Sequence, residues 1–361
     1  NGDRPFRWDA VNGMVELPML TYGTRAYATG VSNGGLTVAG FGYVQSPGSR
    51  AWRWTQPTGV GNIGELAGGS TSAGANDLSA DGVFAVGGSS SGNGPEAFRW
   101  SQATGIQGLG DLPGGAFESV ANGISHDGNV VVGQSVIGVD QFGNDITAAF
   151  YWTESEGMVS IGDLDGGGVQ AEANATNSDG TVIVGESYSY LSQTEAFRWT
   201  QGSGMQPLGF LPGQTYSVAT AVSGDGRIVV GRSGGVGVFI WTQADGMRNL
   251  KDVLEDDYGL DLSEWSSLWD ATDISEDGTV IVGYGRGPLG ELEAFRAVIP
   301  APACPGDLNG DGATNASDFA VLAGNYGAGP GMLPEDGDLN GDGYVNASDF
   351  TILAGGFGCA N

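Results

Sequence analysis

Two twelve-residue segments near the C-terminus carry oxygen-bearing side chains at the same spacing. The first places them at Asp307, Asn309, Asp311, Asn315 and Asp318, and the second at Asp338, Asn340, Asp342, Asn346 and Asp349. A glycine at the sixth position allows a sharp turn, and the backbone carbonyls of Ala313 and Tyr344 at the seventh position add one oxygen each. A hard cation that takes about six to eight oxygen ligands needs this dispersal of short acidic and amide side chains. The pair of segments therefore predicts two bound Ca²⁺ ions.

The chain contains two cysteines, Cys304 and Cys359, and they flank the two loops. In an exported protein, an even pair of cysteines at the ends of a small domain is typical of a disulfide. Metal ligation is disfavoured because no other soft ligand lies near them in the sequence. We therefore expect Cys304 to be bonded to Cys359.

Each loop is followed by one predicted helix, which begins near Phe319 in the first copy and near Phe350 in the second. These duplicated loop–helix segments have Asp, not the Glu of the common EF-hand, at the twelfth position. They resemble the type I dockerin family over residues 304–359. The resemblance implies one Ca²⁺ ion per loop and a helix face that binds a protein partner, usually a cohesin domain. It also implies that partner choice depends on the tenth and eleventh loop positions, which are Ala316, Ser317, Ala347 and Ser348.

Because the two copies are identical at those positions, the resemblance implies two binding modes related by a two-fold rotation. The segment 324–337 between the copies is rich in glycine and proline and longer than the family pattern. The sequence therefore leaves two alternatives to a cohesin as the partner, namely a different receptor and another copy of this chain.

The rest of the chain is a repeat. An aromatic-x-Trp triplet returns every 42–56 residues, and the last copy has Ala297 in place of Trp. The triplets end at Trp8, Trp54, Trp100, Trp152, Trp199, Trp241 and Ala297. Such a period is typical of four-stranded propeller blades. Asp-Gly pairs recur between β-branched segments, as at Asp127, and predict a hairpin turn in each blade. Much of the glycine content, 67 of 361 residues, is explained by these turns.

Six copies of the unit predict an all-β, six-bladed propeller, with a seven-bladed ring containing one incomplete blade as the alternative. We expect residues 13–17 to form a fourth strand that completes the blade begun by residues 271–299. One triplet is then surplus, either residues 6–8 or residues 295–298. The domain boundaries follow: a propeller at 1–299, a Pro/Ala linker at 300–303, and a small helical calcium-loop domain at 304–361.

Several repeated elements are similar to one known family. They are Glu96–Trp100, Leu109–Gly115 and the Ser125–Gly133 hairpin. They resemble the HAF-type extracellular repeat of bacterial surface and secreted proteins, over residues 5–299. The resemblance implies a propeller-like, exported protein and no defined catalytic activity.

Charge and composition exclude several functions. Acidic residues outnumber basic ones 42 to 13, and the net charge of −29 would repel nucleic acid and anionic lipid. No apolar run approaches the roughly 20 residues of a membrane span. His126 is the only histidine, which excludes a Ser-His-Asp triad in practice. The first residue is Asn rather than Met, which fits a processed extracellular or cell-surface protein.

The combined hypothesis is a secreted, non-enzymatic scaffold. Its calcium-loaded module attaches the propeller to a cohesin-like receptor or to another copy of the chain, building a fibre or surface layer. A docked carbohydrate-binding propeller is one alternative. A polysaccharide-degrading enzyme is another, although the sequence reveals no group of carboxylates, bases or arginines outside the repeat.

Overall fold

The computed structural model describes residues 3–45, 48–189, 193–235, 237–299, 304, 306–309, 313–333, 336–339 and 343–359. The chain divides into two compact units, residues 1–274 with 281–297 and residues 275–280 with 298–361. The expected linker at 300–303 lies outside the described residues.

The first unit begins with a hairpin of β1 (Phe6–Asp9) and β2 (Gly13–Glu16). Five antiparallel four-stranded sheets, or blades, follow along the chain. Blade one contains β3 (Gly23–Val31), β4 (Thr37–Val44), β5 (Ser49–Thr55) and β6 (Gly59–Asn62). Blade two contains β7 (Ala73–Leu78), β8 (Phe84–Ser90), β9 (Pro95–Ser101) and β10 (Gly105–Gly108). Blade three contains β11 (Ser119–Ile124), β12 (Val131–Val139), β13 (Asp145–Thr153) and β14 (Gly157–Ser160).

Blade four contains β15 (Gly166–Thr176), β16 (Val182–Ser189), β17 (Gln193–Thr200) and β18 (Gly204–Gly209). Blade five contains β19 (Ser217–Val222), β20 (Ile228–Ser233), β21 (Gly237–Thr242) and β22 (Gly246–Asn249), followed by the short helix α1 (Leu250–Asp256). Blade six has three strands, β23 (Ser267–Ile274), β24 (Val280–Arg286) and β25 (Leu292–Val298). The six-bladed propeller is thus confirmed.

The N-terminal hairpin does not complete blade six, so that expectation was wrong. β2 pairs with β1, with Met14 opposite Trp8, and β25 takes the third-strand position in blade six. The turn is fixed locally, because Oδ1 of Asp9 accepts the N–H groups of Val11 and Asn12. A short loop costs less closure entropy than a pairing with the far end of the chain.

The predicted Asp-Gly turns are present. In blade three the hydroxyl of Ser125 donates to Oδ1 of Asp127 at 2.7 Å, and Asp127 also accepts the N–H of Asn129. Gly128 has a φ of 74°, which the turn requires. The same Ser–Asp bond recurs in the turns at Asp81, Asp225 and Asp277.

Neighbouring blades are joined through their first strands, which contact one another and lie innermost. Each first strand has a β-bulge. In blades one to five the bulged side chain donates to a carbonyl of the next blade, whereas Thr272 of blade six donates to Val282 in its own blade. Asn76 donates to the carbonyl of Ala121 at 2.9 Å, and Asn174 does the same to Ala219. Aromatic residues of the triplets fill the space between blades, and Phe98, Phe150 and Phe197 are 0 % exposed.

Blade six leaves apolar residues uncovered where the other blades bury theirs. Val282 is 36 % exposed, although the matching residues Val86 and Val230 are 0 % exposed. On blade one, Ala28 is exposed, whereas the matching alanines of the other five first strands are fully buried. Leu17, after β2, covers part of blade one by packing on Val38 and Trp52. The hairpin therefore covers only part of the surface that a complete blade would bury.

The second unit is built around the helices α2 (Ala316–Asn325) and α3 (Ala347–Gly356). Leu308, Leu322, Val345 and Leu353 form its core. The N–H of Thr314 donates to the carbonyl of Cys359, and the N–H of Gly327 donates to the carbonyl of Val345. Each loop thus pairs with the chain that follows the other copy's helix. The disulfide between Cys304 and Cys359 is confirmed.

Candidate functional site

The two calcium-loop segments begin before α2 and α3 and supply the residues with the clearest chemistry. Of the twelve expected ligands, Asp311, Asn340 and Asp342 lie outside the described residues. The other nine ligands are Asp307, Asn309, Ala313, Asn315, Asp318, Asp338, Tyr344, Asn346 and Asp349. They belong to one compact unit, with the carboxylates closing each segment buried.

Asp318 and Asp349, at the twelfth loop positions, are both 0 % exposed. Oδ1 of Asp318 accepts the N–H of Leu308 at 2.8 Å, and Oδ2 accepts the N–H of Asn315 at 2.8 Å. Burial alone would raise the pKa of Asp318. The backbone N–H groups of Asn315, Asn309 and Leu308 outweigh it and hold that pKa below its usual value. This carboxylate therefore stays ionised and ties the start of the loop to the start of the helix.

The second copy repeats this arrangement. Oδ1 of Asp349 accepts the N–H of Leu339 at 2.9 Å, and Oδ2 accepts the N–H of Asn346 at 2.8 Å. Asn315 and Asn346 are the N-caps of α2 and α3, and each forms a capping box with the aspartate three residues later. Asp338, at the first position of the second loop, accepts the N–H of Gly343 at 2.7 Å.

The donor set suits a hard cation, because every expected ligand is a carboxylate, amide or carbonyl oxygen and none is sulfur or imidazole. Among the residues that the structure describes, no group of three acidic, His or Cys side chains is gathered closely enough to hold a metal. Positions 310–312 and 340–342, which lie outside the described residues, carry three of the expected oxygens. The described residues thus fit calcium in chemistry, and the ion count remains a prediction.

A second group of titratable residues lies on the propeller, and the sequence did not single it out. Glu172 of β15 and Glu186 of β16 are directly opposite each other across the strand pair. They line a cleft of about 170 Å³ together with Thr147, Tyr188 and Tyr216. Burial and the negative charge of Glu172 raise the pKa of Glu186 to about 7, against the opposing charge of Arg232. The sequence signal was weak, because the register set by the Asp179-Gly180 turn alone would place Glu172 opposite Ser187, and the β-bulge between Ala173 and Ala175 shifts it to Glu186.

The C-terminal unit can now be compared with known families. Residues 305–355 match the family model described as Dockerin type I domain. This dockerin segment contains both loops and nearly all of both helices. It supports the coarser expectation of a protein partner, because the match is to a docking module. No curated protein matches the chain.

Solved structures with a similar fold are distant in sequence. TolB from Acinetobacter baumannii aligns at 15 % identity and a TM-score of 0.42, over 61 % of this chain and 52 % of that one. A putative TolB from Agrobacterium tumefaciens aligns at 14 % identity and a TM-score of 0.42, over 79 % of this chain and 92 % of that one. An oligogalacturonate lyase in complex with manganese aligns at 13 % identity and a TM-score of 0.37, over 82 % of this chain and 96 % of that one. The chain thus spans about half the length of the Acinetobacter protein, and these likenesses favour neither an enzyme nor a non-enzyme.

The dockerin segment exposes all four residues expected to contact a partner. Ala316, Ser317, Ala347 and Ser348 lie in the first turns of α2 and α3 and are accessible. Sequence reasoning missed two further residues beside them. Phe319 and Phe350 are each 44 % exposed, and their rings lie 6.0 Å apart in an edge-to-face arrangement. The sequence signal for them was that an identical residue, Phe, directly follows the last residue of each loop.

No helix in the described part of the chain has both the length and the apolar composition to cross a membrane.

Proposed function

We propose that this chain is a secreted, non-enzymatic scaffold whose dockerin segment attaches the propeller to another protein. The observation that carries the proposal is the match of residues 305–355 to the dockerin family, on a unit with two equivalent loop–helix copies. Extracellular placement is part of the proposal, and it is supported by the Cys304–Cys359 disulfide, since such bonds persist in oxidising compartments.

Two Ca²⁺ ions would be held by the twelve loop residues named above, six in each copy. A bound cation supplies positive charge that offsets the like charges of neighbouring carboxylates. Asp318 and Asp349 would then fix each loop against its helix, since their oxygens already accept backbone N–H groups on both sides of the loop. In this way calcium would order the surface that meets the partner.

The proposed docking face comprises the first turns of α2 and α3. Its exposed Phe319 and Phe350 supply apolar area, and Ser317 and Ser348 supply hydroxyl groups. Aromatic residues surrounded by small polar ones are typical of the centre of a protein interface. A cohesin-type domain is the proposed receptor. A second copy of the chain is the alternative occupant, and repeated docking of that kind would build a fibre or a layer.

The test uses the full chain and limited proteolysis. We expect Ca²⁺ to protect the dockerin segment, and Asp307→Ala combined with Asp338→Ala to abolish that protection, because each substitution removes the first ligand of a loop. Asp145→Ala combined with Asp256→Ala is the matched control, since it removes two exposed acids outside the loops. Equal digestion of the loop variant and the parent in calcium would refute the metal assignment.

Two further measurements separate the partner classes. Calcium-dependent binding to an immobilised cohesin domain, lost on Phe319→Ser with Phe350→Ser, would support the receptor reading. A molecular mass that rises with protein concentration in calcium and returns to that of a monomer in chelator would support self-association instead. A chain that stays monomeric and binds no cohesin would remove the docking proposal.

A further inference from the structure

Among the described residues, no strand lies beside the outer edge of β25. In the part of the chain that the structure describes, β25 pairs with β24 alone, whereas each third strand of blades one to five lies between a second and a fourth strand. The chain leaves the blade directly after β25, where the N–H of Ile299 donates to the carbonyl of Thr279 at 2.8 Å. An unpaired edge presents a row of N–H and C=O groups that can pair with another strand.

The register of the other blades identifies the groups that face this edge. In blade two the carbonyl of Ala97 accepts the N–H of Leu109, the residue after the fourth strand. Ala294 has the position of Ala97 in β25, and Arg296 follows it by two residues. Because backbone groups alternate in direction along a strand, the N–H and C=O groups of Ala294 and Arg296 face the free edge.

Glu293 of β25 provides a second observation, and in the absence of a described fourth strand its carboxylate lies against Gly287, which follows β24. In blades two and four the third strand carries a glutamate at the same position, and its carboxylate accepts the N–H of a glycine at or just after the end of the fourth strand. Glu96 accepts from Gly110 at 3.1 Å, and Glu195 accepts from Gly209 at 3.1 Å. In blade six Oε1 of Glu293 is buried and has no hydrogen-bond partner among the described residues. A buried polar group without a partner is costly, and a fourth strand ending in Leu-Gly would supply the missing N–H.

The N-terminal hairpin of β1 and β2 cannot act as this fourth strand. β2 is already paired with β1, and Leu17 after it packs into blade one. The residue at the position of Gly110 and Gly209 is Pro18, which has no N–H to donate. The other five fourth strands are paired within their own blades.

We propose that the outer edge of β25 binds an extended segment of a partner protein, which adds to blade six as its fourth strand. Addition of a strand to an exposed sheet edge is a known mode of peptide recognition, in which main-chain bonds give affinity and alternate side chains give specificity. This site is separate from the dockerin face and does not depend on calcium.

The fourth strands of blades two and four indicate the chemistry of the partner segment. β10 with the residues after it reads Gly-Ile-Gln-Gly-Leu-Gly, and β18 reads Gly-Met-Gln-Pro-Leu-Gly in the same way. Ile106 lies opposite Trp100, and Met205 lies opposite Trp199. The partner segment therefore has an apolar residue opposite Ala297, followed three residues later by Leu-Gly. A neutral or basic segment is favoured, because this chain has a net charge of −29.

The probe is a fluorescent peptide with the sequence of residues 104–110, which carries no charged side chain, titrated with the full chain and followed by anisotropy. We expect saturable binding that is unchanged in chelator. The variant Arg296→Pro removes the N–H at the centre of the edge without breaking a bond to β24, and should weaken binding about tenfold or more. Arg296→Ser is the matched control, because it loses the same charge but keeps the N–H, and its affinity should match the parent's.

A second variant changes only the peptide. Proline at the position of Gly110 removes the N–H offered to Glu293 and should also weaken binding about tenfold. Failure of the parent chain to bind at ~1 mM would overturn the proposal, as would equal affinity of the Arg296→Pro variant. Self-association of the chain without peptide, lost in Arg296→Pro, would assign the edge to a second copy and overturn the choice of partner. Peptide binding should persist in the Asp307→Ala, Asp338→Ala variant. That result would show that the edge of β25 binds independently of the dockerin segment.

Discussion

The side chain of Glu186 makes the stability of the protein depend on pH in a way that the sequence did not suggest. Glu186 lies opposite Glu172, and one oxygen of Glu186 is buried without a hydrogen-bond partner among the described residues. Its pKa is raised from 4.5 to about 7, first by burial and then by the charge of Glu172. The native state therefore binds a proton between about pH 4.5 and 7 that the unfolded chain releases. Stability contributed by this group is present below that window and is lost as the pH rises through it.

Glu186→Gln should remove this dependence. We expect the free energy of unfolding to rise relative to the parent by on the order of 1 kcal/mol at pH 8, and to change little at pH 4. Urea unfolding at the two pH values measures the difference. Glu154→Gln is the control, because Glu154 is exposed and should shift stability equally at both. A gain for Glu186→Gln that is the same at pH 4 and pH 8 would argue against a raised pKa.

At the scale of elements, polar contacts between first strands hold neighbouring blades together. Asn76→Ala leaves the carbonyl of Ala121 without its side-chain donor between two blades. We expect a loss of about 1–2 kcal/mol in the free energy of unfolding, measured by urea titration. Asn93→Ala removes the same amide from an exposed loop and should change stability by less than about 0.5 kcal/mol. Similar losses for both variants would mean that the contact between blades contributes nothing specific.

The elements also mark the limit of sequence reasoning. The blade period and the Asp-Gly turns predicted six blades, because both are local and repeat along the chain. The sequence could not decide between β1 and β25 as the third strand of blade six, since Phe6-Arg7 and Phe295-Arg296 are equivalent there. That choice depends on pairing between the two ends of the propeller. The loop ligands were predicted from the same kind of local repeat as the turns and stay a prediction, whereas exposure of Phe319 and Phe350 depends on how α2 and α3 pack.

On the scale of the whole molecule, the disulfide constrains the C-terminal unit, and the proposed calcium ions would be a second constraint on the same unit. The disulfide joins residues separated by 55 positions, and a loop of that size is stabilised by about 4 kcal/mol in the chain-entropy model. Calcium would add stability by binding the folded loops and not the unfolded ones. Because the unit's core is small, with Leu308, Leu322, Val345 and Leu353 at its centre, we expect its stability to depend heavily on the disulfide and on the proposed calcium.

Calorimetry of the full chain can separate the two units. In Cys304→Ser with Cys359→Ser, we expect the transition of the C-terminal unit to fall in temperature, and added Ca²⁺ to restore part of the loss. The propeller transition should stay within about 2 °C, because no disulfide or proposed calcium ligand lies in its blades. Ser101→Ala with Ser119→Ala, which removes two buried hydroxyls from the propeller, should lower the propeller transition alone. A single transition that moves as one body in both variants would contradict the independence of the two units.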